Sequence, residues 1–193
     1  MLDELRFLIK LTRADNIARR YFVTNGFDGA LTMLGLIIGF YSSNSVAPEV
    51  ILSACLGAAV ALTVSGLVSA YVSESAERKK ALGELEQALV KDLDDSAHAK
   101  AAKLAPFVIA AVNGLAPFLI SIVIISPLWL TLYGVVFPLS PLLLCIIVAF
   151  TTLFALGVFI GTISGHFWLW SGLRTLLIAI ITAGLILALE RTI

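Results

Sequence analysis

The chain has 193 residues, of which 60% are hydrophobic and 13% charged, and its 13 basic side chains balance 13 acidic ones. Because a soluble domain usually carries roughly a quarter charged residues, this composition excludes an ordinary soluble enzyme, a disordered chain and a nucleic-acid binder with a basic face. The apolar residues come in continuous runs, so we predict an all-α polytopic membrane protein.

The N-terminus is the first of two charge-rich segments, and residues 1–20 hold 8 of the formal charges. Its apolar and charged side chains separate onto two sides at helical spacing, as Leu5 and Leu8 do from Arg6 and Lys10. This separation is typical of a helix that lies in the membrane interface. We therefore predict a cytoplasmic interfacial helix over residues 1–20.

Five apolar stretches follow, and each is long enough to cross a bilayer, which takes about 17–25 residues. Turn residues such as Ser42–Ser45 and Pro138 mark the connections between them. The predicted spans are residues 21–41, 48–73, 104–126, 140–163 and 173–189. The first two form a pair within residues 21–73, and the last three lie within residues 104–193.

The second charge-rich segment, residues 74–103, holds 13 formal charges around a stripe of leucines. We predict a cytoplasmic, acidic, amphipathic helix here. Glu74, Glu77 and Glu84 share one face of it, and three carboxylates on one face suit a divalent cation, which takes oxygen ligands. The alternative is a solvated helix with local ion pairs at helical spacing, namely Glu74 with Arg78, Glu77 with Lys80, and Lys80 with Glu84.

The basic residues indicate the orientation of the chain. Lys and Arg are concentrated in the two charge-rich segments and are absent from the connections at residues 42–49 and 127–140. The positive-inside rule places both basic segments in the cytoplasm, and an odd number of spans then puts the C-terminus outside. We expect a multi-pass protein of a prokaryotic cell membrane with a cytoplasmic N-terminus.

Asp28 is an acidic residue inside the first apolar span. An acid near mid-membrane costs about 2.5–3.5 kcal/mol on insertion scales and usually faces a cavity or a partner. Asn25 precedes it by one turn, Thr32 follows it on the same face, and Met33 offers a soft thioether. With Asn113 of the third span, these residues are predicted to line a pathway. The alternative is an Asp28 that hydrogen-bonds a neighbouring helix or lies in a wet cytoplasmic vestibule.

The layout of the chain resembles the vacuolar iron transporter family. The shared features are an Asp-Gly pair in the first span, at Asp28, and a small-residue second span that ends at Tyr71 before the three glutamates. The resemblance implies a five-span homodimer that exchanges Fe²⁺ or Mn²⁺ for protons along a path lined by the first spans of both protomers. It also implies that Asp28 binds the metal in the membrane and that Glu74, Glu77 and Glu84 collect it beforehand.

A secondary divalent-metal transporter is therefore the leading hypothesis, because a carboxylate that can hold either a proton or a cation is the minimal device for exchange. The rival hypothesis is a non-transporting membrane scaffold or regulatory subunit whose acidic segment docks a partner. An intramembrane enzyme is the least favoured, since it would need several polar groups at one depth. We thus expect no enzymatic activity, no permanently bound cofactor, and the lipid bilayer, protons and a divalent metal as partners.

Overall fold

The computed structural model describes residues 7–8, 11–12, 14–43, 46–165, 167–190 and 192, and within them it contains helices and turns but no strand. The five long helices, in chain order, are α1 (Ala14–Ser42), α2 (Pro48–Leu89), α3 (Ala97–Leu132), α4 (Pro141–Ile163) and α5 (Trp168–Glu190). Each is long and apolar enough to cross a membrane. The prediction of an all-helical chain is confirmed for the described residues, and its five long helices fit the predicted multi-pass membrane protein.

The helices extend beyond most of the predicted spans. α1 begins at Ala14, seven residues before the predicted start of the first span, and α3 begins at Ala97 instead of residue 104. The predicted limits mark only the apolar part of each helix, whereas α1, α2 and α3 also include charged residues beyond that part. Of the interfacial helix predicted over residues 1–20, residues 1–6, 9–10 and 13 lie outside the described part of the chain, and the last seven positions belong to α1.

The segment 74–103 is not a separate helix. It consists of the continuation of α2 to Leu89, a turn, and the first residues of α3. α2 ends because Val90 adopts a left-handed conformation with φ of 49°. The Val90 N–H then donates to the Gln87 carbonyl at 3.3 Å, and the Lys91 N–H donates to the Glu86 carbonyl at 3.2 Å. These two bonds form a Schellman motif, which closes the last helical turn.

Val90 is an unfavourable residue for this position, so Val90→Gly should stabilise the protein. A left-handed conformation costs a residue with a Cβ about 1–2 kcal/mol, whereas glycine loses only about 0.5–1 kcal/mol through greater freedom of the unfolded chain. We expect a net gain of up to about 1 kcal/mol, measured by thermal unfolding in detergent. Val90 is 92% exposed, so no packing is lost, and a lowered melting temperature would contradict the prediction.

The first of two compact units comprises residues 1–25 and 63–116. In its described part, Ala14, Ala105 and Ile109 form a small core. α2 and α3 also approach closely, because a Cβ added to Gly66 would lie 3.1 Å from the Asn113 carbonyl oxygen. The Asn113 amide Nδ2 donates to the Gly66 carbonyl at 2.7 Å. Small residues and a hydrogen-bonding amide are the features that pack helices together in membranes.

The second unit comprises residues 26–62 and 117–193 and contains the main apolar core. Both cysteines of the chain, Cys55 and Cys145, are fully buried in it with free thiols, as expected for small core residues. Ser140 caps the N-terminus of α4, because its hydroxyl accepts the Leu143 N–H at 3.3 Å. α4 and α5 pack through small residues, and Thr175 Oγ1 donates to the Leu153 carbonyl at 3.0 Å.

Candidate functional site

Asp28 lies on the side of α1 that faces away from the apolar core of the second unit. Its side chain is exposed, whereas Met33 and Ile37 on the opposite side of the helix are fully buried in the core. The residues that follow Asp28 at helical spacing are small or polar and half-buried. We call this surface the Asp28 face, which consists of Asp28, Thr32, Gly35 and Gly39.

The carboxylate of Asp28 has no hydrogen bond or ion pair among the residues that the structure describes. The described part of the chain therefore does not show the alternative in which Asp28 is tied to a neighbouring helix. An acid at membrane depth costs about 2.5–3.5 kcal/mol and is usually directed at a cavity or a partner. Asp28 is thus free to bind a ligand or a second protein chain.

Gly29 fixes the side of α1 on which Asp28 lies. A Cβ added to Gly29 would lie 2.8 Å from the Cα and 2.9 Å from the carbonyl oxygen of Pro117 in α3. Real Cβ atoms do not approach backbone atoms so closely, so only glycine allows this contact between the helices. Because Gly29 must face Pro117, its neighbour Asp28 is turned away from α3.

The other predicted pathway residues do not lie together on one surface. Thr32 belongs to the Asp28 face, but Met33 is fully buried in the apolar core on the opposite side of α1. A thioether in that position packs against hydrocarbon side chains and is not available to a metal on the Asp28 face. Asn113 is 3% exposed and belongs to the first unit, where it joins α2 to α3. Asn25 also belongs to the first unit and is half-buried.

The three predicted glutamate ligands are not assembled into a group of metal-ligand atoms in the described structure. Glu74 is buried and pairs with Arg78 at 3.5 Å, and Glu84 pairs with Lys80 at 3.9 Å on the surface. Glu77 is exposed. Two of these glutamates thus make the local ion pairs of the alternative interpretation of this segment.

A different cluster, of three carboxylates, forms at the turn that follows α2. One oxygen each from Glu86, Asp92 and Asp94 lies within 4.8 Å of the others. The Glu86 carboxylate accepts the Leu93 N–H at 3.1 Å, and this bond folds the turn back on the helix. This cluster was not predicted from the sequence, because the predicted helix over residues 74–103 has no turn after Leu89. A turn between Leu89 and Ala97 would have brought these acidic residues together.

Comparison with known proteins gives one informative match. The chain is 30% identical over 176 residues to the uncharacterized protein MJ0645 of Methanocaldococcus jannaschii, and the match covers 89% of this chain and 88% of the relative. The chain belongs to the MJ0645 family. No family model matches the chain, and no solved structure matches it significantly. The name of MJ0645 states no activity, so the function of an MJ0645-family protein has to be argued from its own residues.

Proposed function

We propose that this MJ0645-family protein is a secondary transporter that exchanges a divalent metal ion, Fe²⁺ or Mn²⁺, for protons. The observation that carries the proposal is the Asp28 carboxylate, which lies in a spanning helix without a described partner. A carboxylate binds hard and borderline cations through oxygen. It also binds a proton, so the two ions compete for one group and their exchange is coupled. The resemblance to the vacuolar iron transporter family supports the same reading.

The proposed transporter works as a homodimer in which the Asp28 faces of two protomers meet. A single carboxylate gives a cation few ligands, whereas two opposed Asp28 side chains supply up to four oxygens. Gly39 of the Asp28 face allows a second helix to approach closely, whereas Gly35 already faces Ile186 of α5. In the proposed orientation the N-terminus and residues 74–103 are cytoplasmic and the C-terminus is outside, which follows the distribution of basic residues.

Transport by reconstituted protein tests the role of Asp28. Mn²⁺ or anaerobic Fe²⁺ uptake into proteoliposomes is measured with an imposed pH gradient for the wild type and for Asp28→Asn, which keeps the shape of the side chain but removes its charge. We expect Asp28→Asn to lose at least about tenfold in flux, because a contact to a charged group contributes about 1.5–3 kcal/mol. Glu49→Gln is the matched control, since Glu49 is an exposed acid in the first turn of α2.

Undiminished, pH-dependent flux through Asp28→Asn would remove Asp28 from the mechanism. A wild type without flux, together with no heat of metal binding in calorimetry, would favour the rival function of a membrane scaffold or regulatory subunit. The exposed carboxylates of Asp92 and Asp94 give that rival a specific surface. In that case, Asp92→Asn with Asp94→Asn would abolish partner binding while leaving the protein folded.

A further inference from the structure

A groove of about 530 Å³ lies between the charged end of α2 and the beginning of α3, entirely within the first unit. Its two walls are antiparallel. The Tyr71 and Phe107 rings lie 4.9 Å apart between centroids, and further along the hairpin Glu86 accepts the N–H of Leu93. Each step forward along α2 is thus matched by a step backward toward the start of α3. Nothing in the proposed transport function uses this groove.

Both walls present the same chemical order along the groove. On α2 an aromatic residue is followed by a cation and then by an acid, at Tyr71, Lys79 and Glu86. On the opposite wall Phe107 is followed by Lys103 and then by Asp94. At 1.5 Å per residue the helical wall from Tyr71 to Glu86 is about 22 Å long. The groove therefore has an apolar end, a basic middle and an acidic far end.

The two lysines converge on the middle of the groove. The Cα–Cβ bonds of a helix tilt toward its N-terminus, so Lys79 leans toward Tyr71. Lys103 lies on the antiparallel helix and leans the opposite way, toward the far end. Both lysines are exposed, and neither lies within ion-pair distance of a carboxylate among the described residues. The register from Tyr71 and Phe107 places the two lysines about 6 Å apart along the groove. Their opposite tilts bring the two unpaired ammonium groups toward each other, an arrangement suited to a phosphate.

The acidic end has a matching requirement for positive charge. Glu86 and Asp94 contribute to the cluster of three carboxylates at the turn, and no described Lys or Arg lies within ion-pair distance of them. A ligand that brings a phosphate to the lysines and an ammonium group to the carboxylates would satisfy both ends. The aromatic end indicates that the third part of the ligand is apolar. Tyr71 is 40% and Phe107 60% exposed there, where the apolar stretch of α2 ends.

We propose that this groove binds a phospholipid with a primary amine in its headgroup, of the phosphatidylethanolamine type. Its glycerol and first acyl carbons contact Tyr71 and Phe107, its phosphate binds Lys79 and Lys103, and its ammonium group binds the carboxylates at the far end. Aromatic side chains are enriched where spanning helices meet the headgroup layer, which makes a bilayer lipid, and not a soluble amino phosphate, the ligand that this position meets.

Native mass spectrometry of the detergent-solubilised protein tests the proposal, with a chelator present so that divalent ions do not bridge lipid and protein. Phosphatidylethanolamine is compared with phosphatidylglycerol, which has the phosphate but no amine, and with glycerophosphoethanolamine, which has the headgroup but no acyl chains. We expect the wild type to prefer phosphatidylethanolamine by about tenfold over phosphatidylglycerol, as the loss of one charged contact implies. It should also prefer phosphatidylethanolamine over glycerophosphoethanolamine, which lacks the apolar contacts with Tyr71 and Phe107.

Two double variants separate the two ends of the groove. Lys79→Gln with Lys103→Gln should weaken both lipids about tenfold, whereas Glu86→Gln with Asp94→Asn should abolish the preference for the amine. The Glu86→Gln side chain keeps an oxygen that can accept the Leu93 N–H. Lys100→Gln is the control, because Lys100 is exposed on α3 outside the groove lining. Equal binding of the two lipids by the wild type, or unchanged binding by the lysine variant, would overturn the proposal, as would equal binding of glycerophosphoethanolamine.

Discussion

Arg78→Met should destabilise the protein by about 3–5 kcal/mol, the cost of leaving a buried charge without its partner. The guanidinium of Arg78 lies 3.5 Å from the carboxylate of Glu74, and the side chains of Arg78 and Glu74 are only 17% and 11% exposed. Methionine fills much of the same volume but leaves the buried Glu74 carboxylate without its charged partner. The variant has to unfold locally or admit water, and either change lowers stability.

The measurement is thermal or denaturant unfolding in a fixed detergent, with two comparison variants. The double variant Glu74→Gln with Arg78→Met removes both charges and should recover most of the loss, because a buried pair is rarely better than two neutral side chains. Lys80→Met breaks the exposed pair with Glu84, whose side chains are 72% and 66% exposed, and should cost less than about 1 kcal/mol. Equal losses for Arg78→Met and Lys80→Met would contradict the structural role of the buried pair.

The buried pair also bears on the predicted glutamate ligands. A metal at Glu74 has to displace Arg78 first. Glu74→Gln should therefore change the free energy of unfolding by more than it changes the free energy of metal binding. Calorimetric titration of that variant with Mn²⁺ is the direct check. A large loss of metal affinity in Glu74→Gln would show instead that the ion pair opens and that Glu74 is part of the collecting site.

Gly29→Ala is expected to destabilise the second unit by about 1–3 kcal/mol through overpacking. The added methyl group would lie 2.8 Å from the Pro117 Cα, and backbone atoms cannot move aside as the end of a flexible side chain can. The helices must separate or rotate, and rotation of α1 would redirect Asp28. We therefore expect Gly29→Ala to lower both the unfolding temperature and the metal flux, although it leaves every polar group in place.

Gly57→Ala in α2 is the matched control, because a Cβ added to Gly57 has nothing within 4 Å. Alanine is the better helix former by about 0.5–1 kcal/mol, so this variant should be neutral or slightly more stable. Both variants are compared by unfolding in detergent and by flux in the same liposomes. If Gly29→Ala matched Gly57→Ala in stability, the close contact between α1 and α3 would be refuted.

The helical content and the five spans were predictable because each apolar run is long and the charges lie between the runs. The ends of α2 and α3 were not. No residue near position 74 breaks a helix, so α2 continues to Leu89. It ends there because Val90 is left-handed, although Val90 is neither a glycine nor a proline, the residues that usually indicate a helix end. Hydropathy indicates where a chain enters a bilayer, whereas helix ends depend on local hydrogen bonds, which a single valine in the sequence does not predict.

The candidate site was predictable only in part, for a similar reason. Helical spacing places Thr32 on the side of Asp28. Met33 lies one step of about 100° beyond Thr32, so the same spacing turns Met33 toward the other side of the helix, which the prediction did not take into account. The meeting of Glu86 with Asp94 depends on the turn after α2. Such contacts between residues on either side of a turn follow from tertiary structure and not from sequence spacing.

The burial of Cys55 and Cys145 has a practical consequence. Both native thiols are fully enclosed, and enclosed thiols react poorly with aqueous reagents. The native chain therefore gives a silent background for maleimide labelling. A single cysteine introduced in the connection after α1 or after α3 can be probed in intact cells with an impermeant reagent, which would assign each loop to one side of the bilayer without redesign of the protein.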